Sequence, residues 1–136
     1  MKRPQTNSLR YNRLALVMKT LYKVSTFLIL ALGVLHISLT PVLFRSLTAN
    51  ALWFVSGGMV IIFLSFFNFI LMSDAGQQRL VRMLTYTANL IGLVFAGAML
   101  IIESRRARPG PASWVVLALL VFETIAAFRY SSRSSI

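Results

Sequence analysis

The chain has 136 residues, of which 57% are hydrophobic and 12% charged. A soluble domain carries about 25% charged residues, so this chain lacks the side chains to cover a water-facing surface, and its mean hydropathy of +0.75 agrees. Fourteen Lys and Arg against three acids give a net charge of +11 and there is no cysteine; the cations flank apolar runs, which suits membrane orientation and anionic lipid headgroups rather than nucleic acid, and the missing thiols exclude disulfides, thiolate nucleophiles and Cys-ligated metals.

Residues 1–12 are polar and basic and read as a flexible tail, with a short amphipathic lead from about Leu9. The apolar run that follows is too long for a signal peptide and no small-residue cleavage site closes it, so it is expected to stay as a first helix over residues 17–40. A bilayer span takes about 20 apolar residues, and Pro41 ends this one, because proline disfavours helix at the residue before it. A second helix is expected over 51–72, with Asn50 as its N-cap and the turn Ser73-Asp74-Ala75-Gly76 at its end. The third is expected over 80–103, ahead of a loop holding Arg105, Arg106, Arg108, Pro109, Gly110 and Pro111. The fourth, over 112–130, is the shortest and is interrupted by Glu123. Loops this short make consecutive helices antiparallel neighbours. The expected fold class is therefore all-α: one integral membrane domain, an antiparallel four-helix bundle running up-down-up-down.

Orientation follows the excess of Lys and Arg on cytoplasmic loops. With the N-terminus inside, the inner side holds ten of them: Lys2, Arg3, Arg10, Arg13, Lys19, Lys23, Arg79, Arg82, Arg129 and Arg133. The outer side holds four: Arg45, Arg105, Arg106 and Arg108. Cytoplasmic N- and C-termini in an inner membrane are thus expected. Trp53 and Trp114 fall near the outer helix ends, and Tyr22, Tyr86 and Tyr130 near the inner ends, where amphipathic aromatics collect.

In lipid, helices associate through small residues and interhelical hydrogen bonds. At helical spacing the first helix offers Tyr22, Ser25, Ile29, Gly33, His36 and Thr40. The second offers Gly57, Ile61, Ser65 and Asn68. The third offers Thr85, Asn89, Gly92, Ala96, Met99 and Glu103, and the fourth Leu119, Glu123 and Ala126 or Ala127. Gly57, Gly58, Gly92 and Ala96 are read as packing positions. Tyr22, Ser25 and Gly33 recur at one offset as Tyr86, Asn89 and Gly97, which is too few matches for an internal duplication. The phenylalanines at 63, 66, 67 and 69 lie largely off the second stripe, so some of these rings face lipid.

Four polar residues are candidates for ligand binding or proton coupling. Glu123 lies near mid-membrane, where a carboxyl costs a few kcal/mol and needs an interior partner; Asn89 and Thr124 are the expected ones. His36 lies roughly 7 Å below the outer end of its helix, level with Gly57 and Gly58, whose missing Cβ leaves room for the imidazole. Asn68 and Asn89 sit in the inner half as interhelical hydrogen-bonding residues. Together they form an expected ladder of His36, then Glu123, then the asparagines. Glu103 is expected to cap the third helix and meet Arg105, Arg106 or Arg45. No nucleophile–base pair, paired carboxylates or HExxH motif is present, so no catalytic residue is assigned. With one histidine per chain, bis-His haem ligation would need a dimer, and no cofactor or metal is expected.

The stretch Gly33-Val-Leu-His36-Ile-Ser-Leu-Thr-Pro41, with Ala51-Leu-Trp53-Phe-Val-Ser-Gly57-Gly58 and Ile62-Phe-Leu-Ser-Phe-Phe-Asn68, resembles a family of small four-helix bacterial membrane proteins. The likeness covers two helices, with a looser match at Asn89-Leu-Ile-Gly92. It implies the bundle and a bacterial inner membrane, groups His36, Trp53, Gly57 and Asn68, and implies no activity. The general shape is also similar to DoxX-like four-helix proteins, without a shared motif. Small multidrug exporters have the size and a membrane Glu, but theirs lies in the first helix and this one in the fourth. Three functions remain open: an accessory or interaction subunit that could hold a lipophilic ligand or form a homo-oligomer; a proton-coupled carrier or channel titrating Glu123; and an enzyme acting on a lipid or quinone through His36 and Glu123.

Overall fold

A computed structural model describes the backbone of residues 6–106 and 110–133, and side chains for 13–105 and 110–130. Every regular element in these residues is helical: α1 (Thr6–Ser38), α2 (Thr40–Leu43), α3 (Ala49–Leu71), a 3-10 turn (Asp74–Gln77), α4 (Arg79–Arg106) and α5 (Pro111–Arg133). Four segments are long and apolar enough to cross a membrane: Arg13–Leu43, Ala49–Leu71, Arg79–Arg105 and Pro111–Tyr130.

The helix ends differ from the sequence expectation for local reasons. α1 begins at Thr6 rather than 17, because no Gly or Pro interrupts residues 6–16 and Leu, Arg and Ala favour helix there. Only residues 1–5 of the expected tail, with Lys2 and Arg3, lie outside the described residues, as do Arg108, Pro109 and the side chains of Arg10, Arg106 and Arg133. α1 breaks at Leu39 and restarts as the single turn α2, with Pro41 in its opening residues, where a missing N–H costs nothing. The cap of α3 is Thr48, not Asn50. Thr48 has extended backbone and its Oγ1 accepts from the Ala51 N–H at 3.2 Å. Pro111 opens α5 at the first helical position, which suits its fixed φ. Between α3 and α4, a Cβ on Gly76 would lie 1.9 Å from the Leu71 carbonyl oxygen, so the turn admits only glycine.

The four long helices form a ring. α1 packs most extensively on α3, then α3 on α4, α4 on α5 and α5 back on α1, with little contact across the diagonal. Two apolar clusters fill the interior. Ile29, Leu64 and Leu120 form one, with Ala96 packed against it, and Tyr22, Leu71, Ala126 and Ala127 form the other. The outward faces are apolar as well: Phe63, Phe66, Ile91, Val94 and Phe95 are exposed, and Trp53 is 77% exposed. In a water-soluble protein such a surface would be an aggregation hazard. It is what lipid contact requires.

The α1–α3 seam depends on two glycines. A Cβ on Gly33 would lie 3.0 Å from the Gly58 carbonyl oxygen, and one on Gly58 would lie 3.0 Å from the Gly33 carbonyl oxygen. The backbones therefore meet directly, as small residues at membrane helix crossings permit. Gly97 has open space around its Cα. Gly58→Leu is expected to destabilise the protein by about 1–3 kcal/mol through overpacking, and Gly97→Ala to be neutral or slightly stabilising. Thermal unfolding of the purified variants in detergent measures both.

Candidate functional site

Tyr22, Ser25 and Thr26 share one face of α1, since residues three and four apart are neighbours on a helix. That face meets the stripe of α5 where Glu123 stands beside the small residues Ala126 and Ala127. Glu123 and Thr26 are fully buried, and Ser25 nearly so. The Ser25 hydroxyl donates toward Oε2 of Glu123 and the Thr26 hydroxyl toward Oε1, so both carboxyl oxygens are held by α1. The same two hydroxyls lie 2.9 Å from the Tyr22 carbonyl oxygen one turn back.

The polar layer continues from Tyr22. Its hydroxyl donates to Oδ1 of Asn68 on α3 at 2.6 Å. Asn68 Nδ2 donates to Oδ1 of Asn89 on α4 at 3.0 Å, and Asn89 Nδ2 returns a bond to Asn68 Oδ1 at 2.9 Å. Asn68 Nδ2 also donates to the Leu64 carbonyl at 2.9 Å. Close by, Thr85 Oγ1 on α4 lies 2.9 Å from the Val81 carbonyl of its own helix and 3.3 Å from the Phe67 carbonyl of α3. One layer of buried polar groups thus carries a side chain from each of the four long helices.

This corrects the expected ladder. His36 is not part of the layer: it lies ten residues beyond Thr26 on α1, about 15 Å along the axis. It stacks on Phe54 with ring centroids 3.7 Å apart and 17° between planes, and its Nε2 would lie 3.5 Å from a Cβ on Gly57. The contact of His36 with Gly57 and Gly58 is therefore present as expected, about 15 Å along the bundle from Glu123. The expected partners of Glu123 are also replaced. Thr124 Oγ1 donates to the Leu120 carbonyl of its own helix at 2.7 Å, and Asn89 is taken by Asn68. Glu103 accepts from the Ser113 hydroxyl at the opening of α5, at 2.6 Å. Gly92 sits against Leu64, with a Cβ there meeting it at 3.1 Å, whereas Met99 points outward and is 43% exposed.

Thr26 belongs to this site and lies outside the expected stripes. It stands four residues after Tyr22 and next to Ser25, so its place on the same face follows from helical spacing. Among the described residues no three of His, Asp and Glu come together to hold a metal ion. Compared with protein-family models, curated proteins and solved structures, the chain matches none.

The asparagine pair sets a graded expectation. Tyr22→Phe removes one interhelical bond and is expected to cost about 1 kcal/mol. Asn68→Leu leaves both the Tyr22 hydroxyl and the Asn89 amide without partners and is expected to cost about 2–3 kcal/mol. Equal losses in a denaturation series would mean that Asn68 does not join the two.

Proposed function

We propose that this chain is a multi-pass protein of a bacterial inner membrane, an antiparallel bundle with both termini cytoplasmic, and that it works by binding rather than by catalysis. It would serve as an accessory subunit of a membrane assembly or as the holder of a lipophilic ligand. The observation that carries this reading is the separation of the reactive groups. His36 is stacked on Phe54 near one end of the bundle, and Glu123 is closed in by two hydroxyls about 15 Å away. An enzyme using both would need each within hydrogen-bond reach of the same reacting groups. The polar side chains instead tie helix to helix, which is the use that lipid-embedded bundles make of such groups. Contacts of Tyr22 with Asn68, Gly33 with Gly58 and His36 with Phe54 run in opposite senses along α1 and α3, which supports the antiparallel arrangement.

Orientation is tested by fusion. Alkaline phosphatase joined after Arg108 is expected to be active, and joined at the C-terminus to be silent. The reverse pattern would invert the assignment.

One observation favours a second reading, proton coupling at Glu123. Ser25 and Thr26 each contact both the carboxyl and the Tyr22 carbonyl. Two hydroxyls own two protons, too few to donate to all four contacts. A carboxylic acid supplies a third, donating to one hydroxyl, which then passes its own proton to the carbonyl. Charged and neutral carboxyls therefore imply different hydroxyl orientations, and a cycle between them is what a carrier would need. Glu123→Gln decides between the readings, since the amide can still bond both hydroxyls. On the binding reading the Gln variant folds and complements a deletion strain normally, while Glu123→Ala loses stability. A Gln variant that folds but fails to complement would transfer the function to the proton.

A further inference from the structure

Between the N-terminal part of α1 and the C-terminal part of α5 lies a groove of about 280 Å³. Ala15, Met18, Lys19 and Tyr22 line it from α1, and Ala126, Arg129 and Tyr130 from α5. Its two charged side chains, Lys19 on α1 and Arg129 on α5, are both cations, and no Asp or Glu lines it. The remaining walls are apolar. The Tyr22 hydroxyl is turned away to Asn68, so that residue presents its ring, and the Tyr130 ring lies 5.8 Å from it. One turn further along the same two helices, Glu123 meets Ser25 and Thr26.

We propose that this groove binds the headgroup of an acidic lipid from the leaflet at that end of the bundle. The charge placement argues for an anion held by one cation from each helix. The apolar walls argue for an amphiphile, whose first methylenes lie on Met18, Ala126 and the two tyrosine rings. The volume is just below the usual range for small-molecule pockets, about 300–1,000 Å³. It holds a headgroup and the start of a chain, and the exposed apolar outer faces of the helices carry the remaining acyl chain. Tyr and Lys or Arg at one level are also the residues that collect where headgroups lie. This names the ligand class for the lipophilic-ligand reading above and rests on that reading.

Native mass spectrometry of the purified protein tests it, with phosphatidylglycerol, phosphatidylcholine or inorganic phosphate added. The wild type is expected to hold phosphatidylglycerol in preference to phosphatidylcholine by roughly tenfold to thirtyfold, the scale of two basic residues beside an anionic surface. The double variant Lys19→Ala, Arg129→Ala is expected to fold and to lose that preference. The variant Arg45→Ala, Arg105→Ala, which removes the same charge elsewhere, is expected to keep it. Ala15→Leu, which narrows the groove at a half-buried lining residue without changing charge, is expected to weaken phosphatidylglycerol binding as well. Equal loss in the two double variants would mean a bulk charge effect and overturn the site. Displacement of the lipid by phosphate would also overturn it, in favour of a soluble anion. Lipid held tightly but indifferently to headgroup refutes this groove and leaves the lipophilic-ligand reading standing, whereas a protein that holds neither lipid loses both.

Discussion

The contact on which the bundle depends is the one between the Glu123 carboxyl and the paired hydroxyls of Ser25 and Thr26. A carboxyl with no solvent exposure has to be satisfied by the protein itself. Two adjacent residues on α1 supply a donor to each oxygen. That requirement sets the rotation of α5 about its own axis and its height against α1, and with them the closure of the ring. The Tyr22–Asn68–Asn89 chain then does for α3 and α4 what the carboxyl does for α5.

Above and below this layer the packing changes character. Toward the α1–α2 break, backbones touch at Gly33 and Gly58, and His36 fills the shelf beside Phe54. Toward the chain termini, small residues on α5 let Tyr22 and Tyr130 approach, and the two helices leave a basic groove between them. The bundle thus has a tight apolar end, a polar waist and a charged, partly open end. Direct backbone contact gives rigidity, hydrogen bonds give rotational register, and the open end offers the surface on which a ligand can rest.

Much of this was legible in the sequence. Uncharged runs between Lys23 and Arg45, Arg45 and Asp74, and Arg82 and Glu103 locate three spans by length alone. Counting rise per residue placed His36 level with Gly57 and Gly58, and the stripes put Asn68 and Asn89 on inward faces. What could not be read is azimuth. Nothing local in α5 tells whether Glu123 turns toward α4, where Asn89 waits, or toward α1, where Ser25 and Thr26 do; the partners are 97 residues apart, and only packing of all four helices selects between them. The start of α1 departs from the expectation for a different reason: charge in residues 6–16 argues against membrane burial but not against helix. Thr48 and Asn50 are both good caps by residue type, and only the backbone angle at Thr48 separates them.

The doubled bonding of Ser25 and Thr26 bears on how such a chain would be made. Both hydroxyls have a carbonyl of their own helix in reach at 2.9 Å, so on the proposed membrane reading α1 can enter a bilayer alone with its polar groups satisfied. Glu123 bonds only to α1, and α5 leaves the ribosome after α1, α3 and α4. α1 is therefore able to wait, and α5 can settle only once α1 is in place. Biogenesis acquires a direction from this asymmetry: the hydroxyls of α1 are satisfied before α5 arrives, and the carboxyl of α5 completes its bonding only against α1.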